Sequence, residues 1–135
     1  MSLEVTKYKQ TWIDGLNRGD VSPADEPFTP NCIIHMAGAP EPSLSITAFK
    51  ELVAGLLSAF ADFHITVEEQ IVSGDKVATR WLTEVRHNGP LGEAQHTGRK
   101  VQFEGLIFDH IIGAQAAERW EQWDQMGMMQ QLNLV

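Results

Sequence analysis

With a single cysteine in 135 residues, the chain can form no internal disulfide, and it has no cysteine pair to hold zinc or an iron–sulfur cluster. Cys32, inside the apolar run CIIHM, reads as a buried free thiol rather than as a nucleophile. Basic residues are also scarce: 10 Lys and Arg face 18 Asp and Glu, a net charge of −8. A phosphate backbone is repelled by that field and no basic stripe alternates with aromatics, so nucleic acid is not an expected partner. Long apolar runs are missing too. Nothing reaches the roughly 18 residues needed to span a bilayer, so no membrane association is expected. The opening MSLEVTKYKQ has neither the apolar centre of a signal peptide nor an Arg-rich pattern, and the expected location is the cytoplasm. The histidines, at 35, 64, 87, 96 and 110, make no His-x-His or HExxH spacing, and neither a metal nor a cofactor is expected. A G-x-S-x-G nucleophile motif is absent, and the glycines of GPLGEAQHTG follow no strand-to-helix junction that could cradle phosphate.

What is present is a globular composition, 43% hydrophobic, with no repeat and no linker, so residues 1–135 read as one domain. Val5, Tyr8, Trp12, Ile13 and Leu16 form a helical stripe over residues 3–18, stopped by Asn17-Arg18-Gly19-Asp20. A short helical turn is expected from Ser22 to Pro27, then the breaker run FTPN, a strand at 31–36 and a loop at AGAPEPS. Phe49, Leu52, Val53, Leu56 and Phe60 predict a helix over 47–60, capped by Ser45 or Thr47. The period then changes to two. Phe63, Ile65, Val67, Glu69 and Ile71 mark one strand and Ser73-Gly74-Asp75-Lys76 a hairpin turn. Val77, Thr79, Trp81, Thr83 and Val85 share one face of a long strand that ends at the His87–Gly92 loop. Further strands are predicted at 99–112 and 117–123, before a short helical or irregular tail. Helices first and long antiparallel strands later make an α+β fold, with helices packed on one face of a strongly curved antiparallel sheet that encloses a pocket. Strand 99–112 is apolar on both parities, so the opposite sheet face also needs cover, and a homodimer through that face is expected.

Four segments together resemble the SnoaL-like polyketide and ester cyclases of the NTF2-like superfamily: WIDGLNRGD, AFADFHITVEEQIVSGDKVATRW, HNGPLG with HTGRKVQFEG, and the ending ERWEQWDQMGMMQQL. The resemblance implies a cone-shaped α+β domain around a pocket for a small apolar or carbonyl-containing ligand. It also implies cofactor-independent chemistry, an intramolecular aldol closure in which an aspartate of the last strand is general acid–base. That position is Glu121 here, one methylene longer, and a histidine of the preceding strand in those cyclases falls at Ile107. His35 resembles a pocket-facing position of the family.

Local chemistry gives each candidate two readings. Arg119, Glu121 and Trp123 share a face of the last strand. If that face lines the cone, Glu121 stands desolvated beside an indole, in keeping with a group that takes and returns a proton; otherwise it is a solvated partner of Arg119 on the outer face. Asp124 is either a second carboxylate at the pocket mouth or the cap of a following turn. His35 and His87 are candidate donors to an enolate oxygen, or a satisfied core or rim histidine and a solvent-exposed hairpin end, respectively. Trp12, Trp81, His87, Phe103, Ile107 and Trp123 are the candidate lining. The chain is read as such a cyclase or, alternatively, as a non-catalytic module that holds a small ligand or a protein in the same cone.

Overall fold

The change of period near Phe60 is the axis of the architecture. In the computed structural model, which describes residues 12–20, 26–37, 39, 43–89, 91 and 97–134, residues 12–17 form helix α1. Strands β1 (Phe28–Met36) and β2 (Ser43–Leu44) follow, then helix α2 (Ile46–Ala59). The second half comprises β3 (Phe60–Ser73), β4 (Lys76–His87), β5 (Lys100–Ile112), β6 (Gln115–Trp123) and helix α3 (Gln125–Gln131). The six strands make one open sheet in the order β2-β1-β6-β5-β4-β3. Among the described residues no helix is long and apolar enough to cross a membrane.

Three expectations are corrected. The sheet is mixed, because β1 pairs parallel with β6; more than half of the chain separates these strands, and no hairpin dictates their direction. FTPN does not break the chain but opens β1, where Phe28 is fully buried. Pro30 is tolerated there because the β1–β6 register shifts between Phe28 and Ile33, where a missing N–H costs no ladder bond. The AGAPEPS loop ends one residue early, since Ser43 already belongs to β2 and pairs with His35. Val5, Tyr8 and residues 21–25 of the expected first helix and turn lie outside the described residues, as do positions 38, 40–42, 90 and 92–96 of the two loops.

The long helix follows its sequence signals. Ser45 accepts from the Ala48 N–H at 3.2 Å as N-cap, and Phe49, Val53 and Ala59 bury one stripe. No loop separates α2 from β3. The turn is made by a bulge at Ala61–His64, with Asp62 at φ 58°. Asn17, at the end of α1, accepts from the Ile65 N–H at 2.8 Å and ties that helix to β3.

Strand register arranges the inner face in transverse rows. Ile34, Arg119, Asp109 and Val77 form one, Met36, Glu121, Ile107 and Thr79 the next, and Trp123, Gly105 and Trp81 a third. Gly105 leaves room in that third row. A Cβ on it would stand 2.4 Å from Trp81 Cζ2, 2.6 Å from Cε2 and 2.8 Å from the Gln122 carbonyl oxygen, so the indole lies across β5 only because the residue beneath it has no side chain. Gly105→Ala is therefore expected to destabilise the fold by about 1–3 kcal/mol through overpacking and to perturb the near-UV circular dichroism of the tryptophans. Urea unfolding measures the first effect.

The outer face has a row of its own: His35, Trp120, Phe108, Ala78 and Ile71 are successive cross-strand partners. His35 stacks on Trp120 at 5.0 Å between centroids, and Trp120 meets Phe108 edge-on at 5.9 Å. Leu106, Ile71 and Ile112 are more than half exposed beside them.

Candidate functional site

Between α1, α2 and the inner sheet face lies a cavity of about 80 Å³. Its wall is aromatic and aliphatic, with Trp12, Phe49, Phe60, Trp81, Phe103, Ile107 and Trp123 among the residues that line it. Charged side chains enter at one place, from Arg119 and Glu121, with the Thr79 hydroxyl in the same wall. The space is roughly half that of a dry apolar cavity known to take benzene. Even a one-ring ligand must push wall side chains outward.

Alternation along β6 sends Arg119, Glu121 and Trp123 inward, and the register sets them opposite Asp109, Ile107 and Gly105. The Arg119 guanidinium is fully buried and forked onto Asp109, with Nε donating to Oδ1 at 2.7 Å and Nη2 to Oδ2 at 3.1 Å. Its central carbon lies 4.6 Å from the centroid of the Phe28 ring, a cation–π contact. Nη1 reaches Glu121 Oε1 at 3.5 Å, and the Glu121 side chain is 13% exposed. Two carboxylates thus flank one guanidinium, the deeper (Asp109) holding it in place and the shallower (Glu121) in the cavity wall. The pairing of Glu121 with Arg119, which from sequence belongs to an outer, solvated face, occurs here on the enclosed face. Asp109 was not singled out from sequence, although a signal existed: it is an acidic residue on the apolar parity of its strand, matched by Arg119 on the inward parity of the next.

The other candidates divide. Trp12, Trp81, Phe103, Ile107 and Trp123 all line the cavity, and Ile107 directly faces Glu121 across the strand pair. His35 does not reach it. Met36 takes the inward place on β1, so His35 points to the outer face, where Nε2 bonds Glu118 Oε2 at 2.7 Å and Nδ1 meets Ser43 Oγ at 3.2 Å. His87 is neither rim nor exposed hairpin end. It is fully buried outside the cavity lining, 5.8 Å from the Phe60 ring, and its Nδ1 receives the Thr97 N–H at 3.2 Å. Asp124 caps α3, accepting from the Gly127 N–H at 2.9 Å, and is exposed rather than poised at the cavity. The catalytic alternatives to Glu121 therefore do not converge on it. Of the methionines in α3, Met128 is buried while Met126 is 59% exposed. Burial pushes the Cys32 thiol up to about 11, which leaves it protonated and unreactive at neutral pH.

The model of the SnoaL-like polyketide cyclases matches residues 5–132. Among solved structures the chain is similar to AclR from Streptomyces galilaeus, with a TM-score of 0.87 at 20% identity over 98% of this chain and 97% of that one. TsrD from Streptomyces laurentii gives 0.87 at 20% identity, over 100% of this chain and 99% of that one. IdmH from Streptomyces antibioticus gives 0.85 at 22% identity, over 98% and 99%. Identities this low carry the fold and not the reaction. No curated protein matches the sequence. The α+β architecture and the family match over almost the whole length agree: the chain belongs to the SnoaL-like polyketide cyclase family.

Proposed function

We propose that this protein is a cofactor-independent cyclase that closes a small carbonyl substrate by an aldol-type reaction, with Glu121 as general acid–base. The observation that carries this reading is the placing of one carboxylate, Glu121, beside Arg119 in the wall of a largely apolar cavity. The carboxylate takes the proton from a carbon α to a carbonyl, and the C–H electron pair moves into an enolate. The enolate carbon attacks a second carbonyl of the same molecule, a C–C bond forms, and the new alkoxide takes the proton back from Glu121. Nothing is consumed but the substrate, so no co-reactant is required. Trp123, the next inward residue on β6, and Ile107, opposite the carboxylate on β5, exclude water that would quench the enolate. The test is exchange of α-protons for deuterium in a panel of one- and two-ring aryl ketones, followed by proton NMR in heavy water. Exchange faster than buffer supports the reading; ketones that bind without faster exchange support a binding module instead.

The same proposal includes a dimer in the cytoplasm, joined through the outer sheet face. Leu106, Phe108 and Trp120 are 61%, 40% and 41% exposed on adjacent strands, a contiguous apolar band of the kind soluble proteins cover. A second copy supplies the same band. Sedimentation equilibrium at micromolar concentration should give a dimer for the native chain and a monomer for Phe108→Glu, with unchanged circular dichroism. A monomeric native chain contradicts it.

A further inference from the structure

The enolate formed in this reaction needs a donor for its oxygen, and the histidines that sequence offers for the task, His35 and His87, are outside the cavity lining. We infer that Arg119 is that donor and that Asp109 is the residue that positions it, an inference that rests on Glu121 being the base.

Three observations support this. Arg119 lines the cavity beside Glu121, with Nη1 at 3.5 Å from Oε1. The oxygen and the α-carbon of one carbonyl unit are about 2.4 Å apart by bond geometry, so a single carbonyl group can meet the guanidinium with its oxygen while its α-carbon faces the carboxylate. The guanidinium is also preorganised. Two bonds to Asp109 and the Phe28 ring fix its plane from behind, and its charge needs no reorientation when the oxyanion forms, which is the condition under which such donors act most strongly. The proton balance is unchanged, because Arg119 stays protonated and only strengthens its hydrogen bond as the negative charge passes from Glu121 to the enolate oxygen. Asp109 is fully buried and does not line the cavity; it acts through Arg119 alone.

The probe is 4-nitrophenol, whose anion mimics an enolate oxygen and whose ionisation is read directly by absorbance. In the Glu121→Gln variant, which copies the protonated base, the bound probe should be the anion. Adding Arg119→Met and Asp109→Asn together removes the donor without leaving a buried charge unpaired. That triple variant should bind the anion at least about ten-fold more weakly, as expected for losing a charged hydrogen bond, while its circular dichroism is unchanged. If the triple variant fails to fold, Arg119→Lys in the Glu121→Gln background keeps a buried cation but loses the fork fixed by Asp109, and anion affinity must fall there too. Equal affinity in a folded comparison overturns the inference, and so does failure of the Glu121→Gln variant to take up the anion. Failure of Glu121 as base is read separately, by ketone exchange.

Discussion

Replacing Asp109 with alanine is expected to destabilise the protein by about 3–5 kcal/mol, the usual effect of stripping one partner from a buried ion pair. Few single substitutions cost a fold so much. Both members of the Asp109–Arg119 pair are fully buried and joined by two hydrogen bonds. Deleting the carboxylate leaves the guanidinium with the Phe28 ring and the more distant Glu121 as counterparts. The pair is not expected to be a net gain over apolar residues of the same volume, because desolvating two ions offsets most of their attraction. Asp109→Leu with Arg119→Met should therefore recover most of the stability lost in Asp109→Ala. That rescue is what separates a charge left unpaired from a cavity left unfilled. Urea unfolding of the two variants and the native chain measures both effects. An Asp109→Ala variant within about 1 kcal/mol of native would mean that water or repacking satisfies Arg119, contrary to the geometry described.

The reaction proposed above would give such a costly pair a role. The pair buries a rigid positive charge where the cavity wall would otherwise be hydrocarbon, and Glu121 sits at its open end. The rest of the lining, from Phe49 on the helix to Trp81 and Trp123 on the sheet, supplies shape and dryness. The substrate class proposed above, a small carbonyl compound with apolar rings, suits the chemistry of such a wall, since only its oxygens need polar partners.

Much of the fold is legible in the sequence because it rests on period. Val77 to Val85 alternate without interruption, and the structure buries that face. The spacing of Phe49 and Val53 and the Ser45 cap fix α2 to within a residue at each end. The parallel β1–β6 pairing was not legible, because no local signal sets the direction of two strands so far apart in the chain. Pro30 misled for a related reason: its tolerance depends on a register shift against a distant strand. For the site, parity on β6 places Glu121, Arg119 and Trp123 on one face, but that this face is inward, with Arg119 paired to Asp109, depends on tertiary packing. His35 shows the limit most clearly. Its place next to Met36 decides its direction, and the inward position goes to the apolar side chain. His87 has inward parity, as expected, yet lies beyond the end of the cavity, in a core packed around Phe60.

The measurement that bears most directly on the account is α-proton exchange by native protein and Glu121→Gln, on an aryl ketone that both bind equally. The substitution is nearly isosteric and leaves Arg119 paired with Asp109, so folding and ketone affinity should hardly change. Removing a positioned general base typically costs about 10²–10⁴ in rate, and exchange by the variant should fall by that factor toward the buffer background. Glu121→Asp should keep part of the activity, since it retains a carboxylate of shorter reach. A Glu121→Gln protein that exchanges the ketone proton as fast as the native chain would contradict the account, and the base would have to be sought elsewhere.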